Sequence, residues 1–314
     1  MNAKICAYTS SRKKEGRREL HMKLVISRGA TVPFAELSPN SIALDGYCQG
    51  PAVDVATQRF SFDHHAGCLR LVTKATCEQV LDALLLGLEP GECSVCVNDV
   101  DGDTVLAVWL LQNPARASEP AVRELVAVVG AIDAHGPAYP SANPQLADMF
   151  YQGAMAPEVE LRRARTYATC DLGALLEQCV ANVDRLLAGE ITLAAPLERS
   201  FEVTHRAAGW VMAKSNNFVF DLLYAAGYTR AIAYQELPDG SYNYTVGKKS
   251  ELVGNFPVGP GNQPGTILAT LNAREAGWGG GSTIGGAPRN ADGSRSKLTP
   301  DEVFEIVEGV VTEK

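Results

Sequence analysis

Cys93-Ser94-Val95-Cys96-Val97-Asn98-Asp99-Val100-Asp101-Gly102-Asp103-Thr104-Val105-Leu106-Ala107-Val108-Trp109-Leu110-Leu111 passes from a short apolar run, through a turn carrying three aspartates, into a longer apolar run. The first run has the length and β-branched content of a buried strand, and the second has the length of a helix, so the stretch reads strand, acidic turn, helix. Parallel strands need crossover connections, usually helices, so this unit predicts an α/β fold with a mainly parallel sheet. In such sheets ligands bind beyond the carboxyl ends of the strands, where the aspartates of this turn lie.

Working outward, residues 23–27, 42–44, 52–55 and 59–62 read as short strands. Residues 77–88 place Val80, Leu81, Leu84, Leu85 and Leu88 at helical spacing, and Glu89-Pro90-Gly91 stops them. Residues 121–132 and 158–187 read as further helices, and 188–199 has the composition of a linker. Past a boundary near residue 195, strand-like 201–213, helical 216–226, a hairpin at Asp239-Gly240, helical 266–275 and a last helix from Thr299-Pro300 predict a smaller α/β domain. Residues 1–21 are polar and basic and are expected to be a disordered tail. The expected domains are therefore 22–195 and 196–314.

At 314 residues, 46% hydrophobic and 20% charged, the chain has the composition of a folded protein with enough apolar residues for two cores. It has no apolar run of the roughly 18–20 residues needed to cross a bilayer, so no membrane partner is expected and a cytoplasmic location is. The net charge of −8 argues against coating nucleic acid through a broad basic surface. Positive charge does collect late in the chain, at Lys248, Lys249, Arg274, Arg289, Arg295 and Lys297. The eight cysteines are read as thiols. Cys93 and Cys96, three apart on a strand, point to opposite faces and cannot easily share a metal.

Three of the five histidines, His64, His65 and His135, stand beside aspartates at predicted element ends. Asp63-His64-His65 follows the strand at 59–62, and Asp54 closes the strand before it. Mixed carboxylate and imidazole donors suit Mn²⁺, Fe²⁺, Co²⁺ or Zn²⁺, and further carboxylates favour Mn²⁺ or Mg²⁺. If the strand continued, alternation would aim Asp99, Asp101 and Asp103 to one side, where three like charges ask for a cation. A cap role accounts for one of them, Asp103. Gly277-Trp278-Gly279-Gly280-Gly281-Ser282-Thr283-Ile284-Gly285-Gly286 lets main-chain N–H groups approach an anion, with Arg289 completing a phosphate clamp.

With Asp54, Asp63-His64-His65, the Asp99 to Asp103 turn, Asp133 and the glycine loop together, the chain resembles the DHH phosphoesterase superfamily over most of residues 23–290. The motif order is atypical, because the Asp-rich turn follows the D-H-H, and Ser282-Thr283 stands where the family's loop usually ends in His. The resemblance implies two Mn²⁺ or Mg²⁺ ions held by Asp54, Asp63, His64, Asp99, Asp101, Asp103 and Asp133. It implies His65 or His135 as the residue that contacts or protonates the reacting phosphoryl group. Gly279, Gly280, Gly281, Ser282, Thr283, Gly285, Gly286 and Arg289 would bind substrate. The implied activity is hydrolysis of a phosphoester or phosphoanhydride in a small phosphorylated substrate: a short oligonucleotide, dinucleotide or nucleotide. The alternative on the same fold is a non-catalytic metal- or nucleotide-binding regulatory protein.

Overall fold

The computed structural model describes residues 6–9, 22–65, 67–136, 138–193, 198–290 and 292–312, and it is a mixed α/β protein with two six-stranded sheets. The chain divides into two compact units, 1–195 and 196–314. Among the described residues no helix is long and apolar enough to cross a membrane.

In the first unit the strands are β1 (Cys6–Thr9), β2 (Lys23–Ile26), β3 (Ser41–Leu44), β4 (Ala52–Asp54), β5 (Arg59–Phe62) and β6 (Ser94–Val97), ordered β1-β2-β6-β3-β5-β4. The inner pairs β2/β6, β6/β3 and β3/β5 are parallel, and the edge strands β1 and β4 run antiparallel to their neighbours. β1 falls within the expected tail; the rest of residues 1–21 lies outside those described.

The parallel register puts Ile26, Leu44, Phe62 and Val97 at one end of the sheet. Each chain segment leaving that end can therefore contribute to one site. Helices α1 (Thr76–Leu85), α2 (Gly102–Gln112) and α3 (Pro120–His135) follow from those segments. α2 is buried along its whole length from Gly102 to Leu111, which explains why its sequence is apolar on every side rather than striped. Helices α4 (Pro144–Asp148), α5 (Ala156–Arg163) and α6 (Leu172–Leu187) complete the unit, with a π-helical turn at Met149–Ala154 between α4 and α5.

Alternation along β6 and the residue before it sorts Cys93 and Cys96 to different sides. Cys93, Val95 and Val97 enter the main core with Val105, Leu106 and Leu110, whereas Cys96 joins a small cluster with Leu37, Ala43 and Cys48. Burial pushes both thiols above their ordinary range.

The second unit orders its strands β11-β12-β10-β9-β8-β7, where β7 is Phe201–Ala207, β8 Trp210–Ser215, β9 Arg230–Glu236, β10 Tyr242–Lys248, β11 Gly279–Gly280 and β12 Ile284–Gly286. Only β8/β9 is parallel among these pairs. Helix α7 (Phe220–Ala225) lies between β8 and β9 in the chain. Helices α8 (Ile267–Arg274) and α9 (Pro300–Thr312) bury Ile267, Leu268, Leu271, Val303 and Val307 in a core with Trp210, Tyr244 and Trp278.

Candidate metal centre

At the ends of β3 and β5 the chain places Asp45 and Asp63-His64-His65, and two further aspartates come in from helices: Asp103 from the first turn of α2 and Asp133 from the last turn of α3. His64 is the centre of the group. Its imidazole is fully buried, with Nε2 2.8 Å from Asp133 Oδ2, 3.5 Å from Asp45 Oδ1 and 3.6 Å from Asp103 Oδ2. The shortest of these contacts lacks hydrogen-bond alignment, so His64 Nδ1 and Nε2 and Asp133 Oδ2 are buried without a hydrogen-bond partner among the described residues. A buried polar atom left unpaired costs about 1–3 kcal/mol. Two of these atoms, His64 Nε2 and Asp133 Oδ2, lie side by side in the cluster, which is what converging ligands present when they aim at a shared ion rather than at one another.

Each carboxylate is held by the fold. The main-chain N–H groups of Thr76 and Cys77, at the start of α1, donate to Asp103 Oδ2 and Oδ1 at 2.7 and 2.8 Å. The open amides of a helix N-terminus thus find an anion on a neighbouring helix. Thr76 Oγ1 donates to Asp45 Oδ1 at 3.2 Å and Thr104 Oγ1 to Asp45 Oδ2 at 3.1 Å. Asp63 accepts from the N–H groups of Gly50 at 2.7 Å and His65 at 3.0 Å, and its Oδ1 lies 2.9 Å from His65 Nδ1. Gln79 Nε2 donates to the Asp63 carbonyl at 2.9 Å, pinning the D-H-H turn to α1.

The electrostatics are those of too many carboxylates around one imidazole. Burial disfavours the His64 cation, but the closeness of Asp133, Asp45 and Asp103 outweighs it and carries the pKa up to about 10. Burial, followed by the charges of Asp45 and Asp133, pushes Asp103 up to about 7, and burial with the same neighbours pushes Asp101 well above the carboxylate range. For Asp45, burial works the other way from His64 and His65, whose influence prevails and lowers the pKa. The Asp63 contact, set against burial, raises His65.

Two overlapping groups meet metal-ligand spacing among the described residues: Asp45, His64 and His65, and His64, Asp103 and Asp133. Of the expected ligands, His64, Asp103 and Asp133 come together here. Asp54 does not. β4 runs antiparallel to β5, so Asp54 pairs with Arg59 at the start of β5, whereas Asp63 follows its end, roughly 13 Å away at strand rise. Its carboxylate is held instead by Arg59 Nη2 and Thr57 Oγ1, each at 2.7 Å, and these bonds lower its pKa to about 2.

The expected one-sided array of Asp99, Asp101 and Asp103 also fails, because the strand ends at Val97 and the chain turns into α2. Asp99 accepts from the Tyr167 hydroxyl and belongs to neither of the two ligand groups. Asp101, rather than Asp103, is the helix cap, accepting from Thr104 N at 2.9 Å. Asp63 serves to orient His65. His135 is exposed at the end of α3, its ring 4.6 Å from that of Tyr139, and lies outside both ligand groups.

Two residues enter that the sequence reading passed over. Asp45 follows β3 as Asp63 follows β5, and an Asp-Gly pair closing an apolar run was the available signal. Tyr151, on the π-helical turn, has its phenol pushed well up by burial and then by Asp133, Cys77, Asp101 and Asp103. No local signal marks it. The Tyr151 and Phe150 rings pack where a Cβ on Gly102 would stand, at 3.0 and 2.9 Å from that position, so glycine at 102 is what lets α2 start there.

In the second unit, Gly279, Gly280 and Gly281 are exposed and β11 and β12 pair as a short ribbon. Gly280 has φ +150°, and a Cβ there would meet Gly285 Cα at 2.3 Å; one on Gly285 would meet Leu268 Cδ1 at 2.3 Å. Close packing accounts for Gly280 and Gly285. Ser282 hydrogen-bonds Glu251, which in turn pairs with Lys248 at 2.8 Å, so a carboxylate compensates the nearest lysine. Thr283 is half-buried and Arg289 exposed. No protein-family model matches the chain, and no curated protein matches it.

Proposed function

We propose that this chain is a Mn²⁺- or Mg²⁺-dependent phosphohydrolase whose metal ligands are His64, Asp45, Asp103 and Asp133, with His65 beside them. One observation carries the reading: a fully buried imidazole with both nitrogens unbonded, and one of them within 3.6 Å of three carboxylates. The donor set fits a divalent cation, whose charge would offset the repulsion among Asp45, Asp103 and Asp133 and take the place of a proton on His64. Three carboxylates with one or two imidazoles favour Mn²⁺ over Zn²⁺. A single nitrogen lone pair serves one ion, so if two ions bind, the two-oxygen carboxylates bridge them.

When bound, such a metal lowers the pKa of a water nucleophile and neutralises phosphoryl oxygens. The chain's own residues do the rest. Asp63 engages His65 Nδ1, leaving Nε2 of this 40% exposed side chain as the atom available to a substrate oxygen or leaving group. Thr76 and Thr104 orient Asp45, and the amides of α1 orient Asp103, so the ligand oxygens are set before any ligand arrives.

We assign the metal-binding role to the first unit, read as a DHH-like domain with its mainly parallel inner sheet. With a net charge of −8, a short phosphorylated molecule is the favoured substrate over a long polyanion. The test is a time course on 2-, 5- and 30-nucleotide strands and pyrophosphate with the purified chain and Mn²⁺. Faster turnover of the shortest strands supports the reading. Preference for the 30-mer overturns the substrate class, and absence of any turnover moves the chain to a metal-binding regulatory protein.

A further inference from the structure

We propose that Arg70 is a substrate-binding residue of this centre, recognising the oxygens of a phosphoryl group next to Asp133 and His65; the inference rests on the phosphohydrolase reading above. Arg70 lies in the exposed segment directly after the D-H-H turn. Its Nη1 donates to the main-chain carbonyl of Asp133 at 3.2 Å, across 63 residues of sequence. That carbonyl belongs to the residue whose Oδ2 stands 2.8 Å from His64 Nε2. Arg70 is therefore held at Asp133, which at 25% exposed is, with His65 at 40%, one of the two most solvent-accessible members of the cluster.

Its bonding leaves it available. A guanidinium has five N–H donors in a planar fork, and one meets a neutral carbonyl. No ion pair joins Arg70 to a carboxylate among the described residues, whereas Arg59, Lys74, Arg116 and Arg162 are each spent on one. A phosphoryl group brings negative charge to a site already lined by Asp45, Asp63, Asp101, Asp103 and Asp133. A fixed guanidinium beside it supplies the bidentate, charge-assisted contact that a metal ion alone does not.

The opposing account is a loop staple, in which Arg70 only ties its segment to the end of α3. Glutamine separates the two, because Arg70→Gln keeps a donor for the Asp133 carbonyl and removes the charge. Binding of inorganic phosphate to the full-length Mn²⁺-loaded protein is measured by titration calorimetry, beside Mn²⁺ affinity and turnover. The expected result is a phosphate Kd raised about tenfold or more in Arg70→Gln, partly restored in Arg70→Lys, with Mn²⁺ affinity unchanged. Unchanged phosphate affinity, or a parallel loss of Mn²⁺ affinity, overturns the assignment. If wild type binds phosphate through Arg70 yet hydrolyses nothing, Arg70 stands and the hydrolase reading falls. If wild type turns over and Arg70→Gln keeps its kcat/KM, the reverse holds.

Discussion

The strand-end cluster around His64 and the glycine ribbon at 279–286 are both rich in residues that signal function in a sequence, yet they differ in what the fold explains. In the ribbon the tightest glycines have a packing reason: Gly280 and Gly285 let two main chains and Leu268 pass at distances a side chain would forbid. In the cluster, packing does not explain His64. Burying His64 among Asp45, Asp103 and Asp133 leaves polar atoms unpaired and titrations far from their ordinary values. A feature that stability alone would remove is the stronger pointer to function, and a feature that stability requires is silent about it.

The comparison breaks first on His64. His64→Ala is expected to lower Mn²⁺ affinity by at least about 100-fold, since loss of even the groups that orient a ligand costs 10–100-fold. Titration calorimetry on the full chain would show this, and an unchanged Kd would remove the cluster's claim.

Next is the pH dependence of the metal-free protein. His64 rises from 6.5 to about 10 on folding, so it contributes stability present in full below 6.5 and lost as pH climbs through 10. Asp103 rises from 3.8 to about 7, which disfavours the folded state increasingly as pH climbs from 3.8 to 7. Both effects have one sign. Without metal, Tm is expected to fall by on the order of several degrees between pH 6.5 and 10, and saturating Mn²⁺ should flatten that slope. A metal-free Tm that rises over this range would contradict the arrangement of charges.

Gly280→Val sharpens the other side. The φ of +150° and the 2.3 Å approach to Gly285 predict a loss of about 1–3 kcal/mol, visible as a lower Tm with Mn²⁺ affinity intact. If Tm is unchanged while KM rises, the ribbon carries function after all.

The smallest effect is expected at Asp54. Asp54→Asn should leave Mn²⁺ affinity within about twofold, because its partners are Arg59 and Thr57 rather than members of the cluster. Asp45→Asn should lower it clearly.

That last pair shows what the sequence could and could not tell. Strands β3, β5 and β6 were legible from short apolar runs, and the aspartate and histidines that follow β5 were legible as strand-end groups. Strand direction was not. Asp45 and Asp54 both close a short strand, but only β3 runs parallel to β5, and pairing direction depends on contacts that periodicity does not encode. The turn from 99 to 103 failed for a similar reason, since one residue of uncertainty in where α2 begins redirects each aspartate. Tyr151 and Arg70 reach the cluster only through tertiary structure, the first from a π-helical turn and the second across to the end of α3.

Asp103 has one further consequence. It faces His64 and it also closes the amides that open α1, so a change there removes a ligand and uncaps a helix in one stroke. A screen scoring protein abundance and a screen scoring turnover would rank position 103 alike, and genetics would not tell a dead enzyme from a missing one. Asp45 rests on two threonine hydroxyls, which can rotate to other acceptors. There the two screens should part, with abundance kept and turnover lost.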